Sequence, residues 1–342
     1  MYVAPRPDPV EDPLFGIRIA LTAALAYLAA AVFDPALPTM VAALPIGLIG
    51  GQRAAFSMGK AVGGPAAMIV LCYLMVWFVE FLRPMPLVYL TGIWLVYYAG
   101  FLMILRTGAA MGMLIIIVAV LMSVMAMTSL AAAEQMRDGF VQASLLALVL
   151  APLVYWVLPS RTTRQHVDDP TPARGNLAVG AVIRASLLLA MSLFLYTIMQ
   201  PGDMMLAMIA AMVLVFPTGK AALGEANDRV SATLLGAAMA AVVLAGATML
   251  PVLPVVLTLI FLGSLWLGQG MLTGPRPAPV YQYALSVGLA LIAGALSSQD
   301  AIYSTVTRVA LTLLGAYATS FAVALLDSLT GWAEPTAEAV PA

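Results

Sequence analysis

The sequence predicts an all-α polytopic membrane protein of about twelve transmembrane helices in two parallel six-helix repeats. Three observations carry this. Apolar residues make up 63% of the 342 and charged residues only 9%, with a mean hydropathy of +1.02. A soluble domain carries roughly a quarter charged residues, so water is not the solvent for most of this surface. Arg18 and Arg184 each stand just inside a long apolar stretch, and each is followed 17 residues later by a proline, Pro35 and Pro201. At ~1.5 Å per helical residue that spacing is about 25 Å, close to the hydrocarbon thickness of a bilayer. The two units lie 166 residues apart, and membrane proteins built from duplicated multi-helix units are typically transporters or channels.

The elements follow in order. Residues 1–13 hold Asp8, Glu11, Asp12 and four prolines. That is the wrong charge for a signal peptide, so a retained cytoplasmic tail is expected. The first repeat, 14–158, contains apolar runs at 15–33, 36–51, 56–82, 85–105, 109–130 and 137–158. A polar linker, 159–178, joins it to the second repeat, 179–327, with runs at 179–200, 203–217, 228–250, 253–272, 280–297 and 304–327. Each run is bounded by Gly, Pro or charge. The tail 328–342 is expected to be disordered.

With the N-terminus in the cytoplasm, Arg6, Arg18, Arg53, Lys60, Arg106, Arg161, Arg164, Arg174, Arg184, Lys220, Arg229 and Arg276 fall on the inner side. Only Arg83, Arg137 and Arg308 fall on the outer side. This bias places both termini in the cytoplasm of a multi-pass protein. Six helices per half give the halves one orientation.

Several function classes drop out. A single cysteine, Cys72, and a single histidine, His166, support neither an intrachain disulfide nor a typical metal or haem site. No Gly-rich nucleotide loop and no His/Asp/Glu cluster is present, so no enzyme, metal or cofactor is expected. A nucleic-acid partner is not expected either. The 22 methionines read as plastic packing. Trp77, Trp94, Trp156 and Trp266 suit interfacial belts, and Tyr97 and Tyr98 could stack on an aromatic substrate.

The repeat continues beyond the arginines. AFSMGKAVGGPAAMIVL from Ala55 aligns with DRVSATLLGAAMAAVVL from Asp228, setting Gly63 on Gly236, and Arg137 aligns with Arg308. Within the second half, RVSATLLG at Arg229 echoes RVALTLLG at Arg308, three helices on. The two would open from opposite faces, which suggests inverted three-helix repeats nested in each half. Arg229, Thr233 and Gly236, like Arg308, Thr312 and Gly315, fall on one helix face. On such a seam Gly permits close approach and Thr can hydrogen-bond across it.

These R-x3-T-x2-G motifs, the weaker FSMGKAVG at Phe56 and the duplicated layout resemble the fusaric-acid-resistance and aromatic-acid-exporter family of bacterial inner-membrane proteins. A more distant similarity is to plant malate-conducting anion channels, which look like dimers of one six-helix unit. The resemblance implies export of aromatic carboxylates or related toxic compounds, often with a periplasmic adaptor (membrane fusion) protein. The longer exporters carry a sizeable cytoplasmic domain, and here only the short linker stands in its place. Phe56 stands where the second half has Arg229, and Lys60, one turn on, can supply the charge.

The site candidates are cations. Arg18 and Arg184 are either anchors that snorkel to the headgroups or a symmetric pair collecting an anion. Arg137 and Arg308 break the charge bias. Arg137 has Glu134 and Asp138 nearby for an ion pair, whereas Arg308 is placed to face passing anions. Gly50, Gly51, Arg53 and Lys60 match Pro217, Thr218, Gly219 and Lys220, leading to Arg229. Broken short helices at matching repeat positions point to a substrate site, the alternative being a pair of ordinary cytoplasmic loops. No acid stands at the centre of an expected helix, so no residue presents itself for proton coupling.

The expected function is therefore a secondary transporter exporting aromatic carboxylates or other organic anions across the bacterial inner membrane. Its partners are the lipid bilayer, the organic anion and a periplasmic adaptor, and association into a homo-oligomer is left open. The alternatives are a passive organic-anion channel with the same cationic path, or a membrane subunit that docks an adaptor and transports nothing.

Overall fold

The computed structural model describes residues 12–51, 56–108, 110–160, 172–198, 211, 214, 219–297 and 301–332. Among these residues eleven helices form: α1 Phe15–Phe33, α2 Pro38–Gly51, α3 Met58–Leu82, α4 Pro86–Thr107, α5 Ala110–Thr128, α6 Leu130–Val157, α7 Leu177–Ile198, α8 Gly219–Met249, α9 Leu253–Thr273, α10 Ala278–Ser297 and α11 Ala301–Thr330. All except α2 contain a span long and apolar enough to cross a membrane. The chain is a multi-pass helical membrane protein. Apart from Ala211 and Leu214, the expected helix at 203–217 lies outside the described residues or their described side chains. Most of the linker 159–178 lies outside them too.

Local chemistry sets the helix ends. α1 stops where Asp34 turns left-handed (φ 42°) before Pro35, because a proline disfavours helical geometry in the residue before it. α4 opens on Pro86 and closes on Gly108 at φ 67°, whose N–H donates to the Ile104 carbonyl at 2.7 Å.

Four boundaries differ from expectation. α6 begins at Leu130, not 137, because the Ser129 hydroxyl accepts from the Ala132 N–H at 3.0 Å and caps it there. Arg137 is therefore two turns inside its helix. α8 begins at Gly219, not 228, because the run KAALGEA is rich in helix-forming residues. Arg229 thus lies about 15 Å inside α8 and does not open it. α11 runs to Thr330, and Trp332 beyond it is 4% exposed, its carbonyl accepting from the Asn176 N–H at 3.0 Å. Residues 328–332, placed in a disordered tail, are therefore part of the fold, and 333–342 lie outside the described residues. Asp12, placed in the N-terminal tail, is buried against α1.

The apolar cores do not follow the halves of the chain. One gathers α3, α4, α5, the first part of α6, and α7, with Leu214 and Val323. The other gathers α1, α2, α8, α9 and α10 with Ala151, Val154 and Tyr155 from the end of α6. α1 packs along α9, and α4 along α7, so each half lends its first helix to the other. Lateral faces carry large exposed apolar residues, among them Trp77, Trp156, Leu87 and Phe321, as lipid-facing surfaces do.

Small residues set the crossings. A Cβ on Gly236 of α8 would lie 2.9 Å from the Gly288 nitrogen of α10 and closer still to the Ala284 carbonyl. α1 and α9 meet in the same way at Gly16 and Gly268. The Gly236 seam is thus real, but Thr233 turns its hydroxyl back to the Arg229 carbonyl at 2.8 Å instead of bonding across. Gly63, aligned with Gly236, is exposed and faces open space. That contact is not shared between halves. Gly236→Ala should lower stability by about 1–3 kcal/mol through overpacking. Gly63→Ala should not lower it. Thermal unfolding in detergent checks both, and equal tolerance of the two substitutions would contradict the crossing.

Candidate functional site

Arg18 and Arg184 are among the largest fully buried side chains, so neither snorkels to a headgroup. Arg18 donates from both terminal nitrogens to Asp12, at 2.8 and 3.0 Å. Its Nε donates to the Leu158 carbonyl at the end of α6, at 2.9 Å. Its guanidinium lies 4.3 Å from the Tyr155 ring centroid. Arg184 repeats the chemistry with different parts. It donates to Asp327 of α11 at 3.2 and 3.4 Å, to the Leu214 carbonyl at 2.9 Å and to the Gly180 carbonyl at 3.2 Å. Trp332 stacks on it at 4.9 Å and donates its indole N–H to Asp327 at 2.6 Å. A buried guanidinium survives only when its donors are matched and a carboxylate balances its charge. Both arginines meet that condition within the fold. They clamp the start of α1 to α6, and the start of α7 to α11.

Arg229 differs. Its Nε donates to Glu225 at 2.6 Å, one turn earlier on α8, and its guanidinium carbon sits 3.5 Å from the Tyr283 ring centroid on α10. The two charged side chains are each 11% exposed. Among the described residues no acceptor is bonded to the two terminal nitrogens of Arg229. The guanidinium is thus fastened through Nε and stacked on a ring, and among the described residues its far edge, the edge through which guanidinium groups bind carboxylates in pairs of N–H bonds, holds no acceptor. Asp228 is half-buried beside it, and Arg276 lies in the turn before α10, where its backbone N–H donates to the Tyr281 hydroxyl at 3.4 Å.

Glu225 was not singled out from the sequence, because the segment before Asp228 read as a loop. Its i, i+4 spacing from Arg229 was the available signal.

Arg137 pairs with Asp138 at 2.9 Å and lies 5.1 Å from the Tyr73 ring, the local ion pair expected of it. Arg53 lies outside the described residues. Lys60, Lys220, Arg308 and Thr312 are helical, but their side chains lie outside the described set. Gly50 and Gly51 are helical within α2, and Gly315 is buried in α11. Among the described residues no two of these cations touch. Each arginine in contact instead holds a carboxylate and an aromatic ring of its own. Tyr97 is fully buried with its hydroxyl 3.0 Å from Ser123, and Tyr98 stacks on Trp94 at 5.5 Å. The Tyr97 ring is closed to a substrate, and the Tyr98 ring is half-buried with one face taken by Trp94.

The clamps can be tested by their energetics. Arg18→Leu alone should cost about 3–5 kcal/mol, because it strands a buried carboxylate. Pairing it with Asp12→Leu should recover most of that loss, as measured by unfolding in detergent. Equal loss in the single and double variants would contradict the pairing.

Residues 189–322 match the family model described as Fusaric acid resistance protein-like, a stretch that takes in Glu225, Arg229, Tyr283 and both R-x3-T-x2-G motifs. Comparison with curated proteins and with solved structures found no match. The family match bears out the resemblance read from those motifs, as a similarity over residues 189–322 in the second half of this multi-pass membrane protein.

Proposed function

We propose that the protein is a secondary transporter exporting aromatic carboxylates or related organic anions, and that Arg229 receives the substrate carboxylate. The observation that carries this is the edge of Arg229 that holds no acceptor among the described residues, on a largely buried cation in a membrane-spanning helix with a tyrosine ring against it. Bringing a carboxylate out of water is costly in a low-dielectric interior. A preplaced guanidinium offsets that cost with two charge-assisted hydrogen bonds. Arg18 and Arg184, whose donors are taken up by Asp12 and Asp327, hold the bundle together in this scheme.

The transporter would have twelve helices in two duplicated halves. The exchanged packing of α1 on α9 and α4 on α7 supports that layout, since each half then completes the other. It would sit in the bacterial inner membrane with both termini in the cytoplasm and work with a periplasmic adaptor. Arg308, Lys60, Lys220 and Arg53 are proposed as further cations along the path, from their sequence positions.

The test is uptake of labelled 4-hydroxybenzoate into inverted vesicles. Arg229→Gln should lower uptake at least about tenfold at equal abundance, the loss expected for one charged hydrogen bond of about 1.5–3 kcal/mol. Arg308→Ala should also lower it. Unchanged uptake in Arg229→Gln would overturn the assignment. Single-channel currents in planar bilayers, far above carrier turnover, would replace the carrier with a passive anion channel. Unchanged efflux on removing this chain alone would leave an adaptor-docking subunit.

A further inference from the structure

The proposed site contains a carboxylate where none was expected. Glu225 is one helical turn from Arg229, inside the same membrane-spanning stretch, and holds the Nε of the guanidinium whose terminal nitrogens an incoming anion would take. Both side chains are shielded from solvent to the same degree. One guanidinium between two carboxylates leaves the site with a surplus negative charge in a medium that stabilises charge poorly. Like charges sharing one site drive one of the carboxylates to take a proton.

We propose that Glu225 competes with the substrate anion for the charge of Arg229 and is the proton acceptor of the site. This rests on the assignment of Arg229 as substrate cation. With no substrate bound, the Glu225 carboxylate neutralises Arg229. When an organic carboxylate arrives, it takes over the charge of Arg229, and Glu225 takes up one proton from solution as it gives up its ion pair. Charge balances on both sides of the exchange: guanidinium with ionised Glu225 before, guanidinium with bound anion and neutral Glu225 after. The anion and one proton are thereby bound together. A carrier built this way moves one anion and one proton together, with no net charge, driven by the combined concentration gradients of the two.

The groups around Glu225 define the controls. Its own helix brings Arg229 and Asp228. α10 brings Tyr283, with Tyr281 and Arg276 in and before its first turn. α9 carries no titratable residue. α11 reaches α8 where the Ser320 hydroxyl donates to the Ala222 carbonyl at 3.2 Å, and its described titratable residues are Tyr317 and Asp327, the latter engaged by Arg184. Asp228 is thus the one other carboxylate near Arg229 among the described residues.

The experiment is calorimetric binding of 4-hydroxybenzoate to the purified full chain, between pH 6 and 8, in two buffers of different ionisation enthalpy. The wild type should take up about one proton per anion bound, and its affinity should fall roughly tenfold per pH unit on raising the pH. Glu225→Gln should bind without proton uptake and with an affinity independent of pH. Glu225→Asp and Asp228→Asn should keep the uptake. Wild-type binding without proton uptake, or uptake that persists in Glu225→Gln, would overturn this inference and leave Arg229 as the substrate cation. No binding by a folded wild type would overturn both. If Glu225→Gln does not fold, loss of uptake in Asp228→Asn would overturn the assignment to Glu225.

Discussion

Placing a guanidinium inside an apolar bundle is the constraint on which this architecture turns. Arg18, Arg184 and Arg229 stand within stretches able to span a membrane, where an uncompensated charge is costly. Each is compensated by the same pair of parts, a carboxylate and an aromatic ring: Asp12 with Tyr155, Asp327 with Trp332, and Glu225 with Tyr283. The carboxylate balances charge and the ring supplies a polarisable face that needs no hydrogen bond of its own. The difference between holding and binding lies in how many guanidinium donors remain. Arg18 spends its donors on Asp12 and a helix-end carbonyl, whereas Arg229 spends Nε alone among the described residues.

The clamps also explain how the chain ends become part of the fold. Asp12 and Trp332 lie at the edges of the described chain, yet both are buried, because each completes the solvation of an arginine. The α1 and α7 starts are thereby tied to the ends of α6 and α11, while the bodies of α1 and α4 pack along α9 and α7. Close crossings at Gly236–Gly288 and Gly16–Gly268 then bring backbones together where lipid offers no hydrophobic drive for helix association.

Much of the scaffold was legible in the sequence. Apolar run length and flanking prolines placed α1 at 15–33, and the motif at Arg229 pointed to the matched family. What was not legible depended on contacts between distant segments or on capping. The partners of Arg184 lie 143 positions later for Asp327 and 30 positions later for Leu214, and no spacing rule announces them. The start of α8 was obscured because Gly224 and the charges of KAALGEAND interrupt the apolar run, although its alanines and leucine favour helix. Its helical bond pattern and the Glu225–Arg229 pair carry it instead. Buried charge was read as exposed charge in both clamps, since hydropathy scores a residue without seeing its partner.

The most direct measurement is photolabelling of the full chain in membranes with 4-azidobenzoate, followed by peptide mapping, with and without excess 4-hydroxybenzoate. Competable label on α8 near Arg229 and on α10 near Tyr283 is the result expected if Arg229 receives the carboxylate. Competable label confined to the core of α3, α4, α5 and α7, with none on α8 or α10, would contradict it.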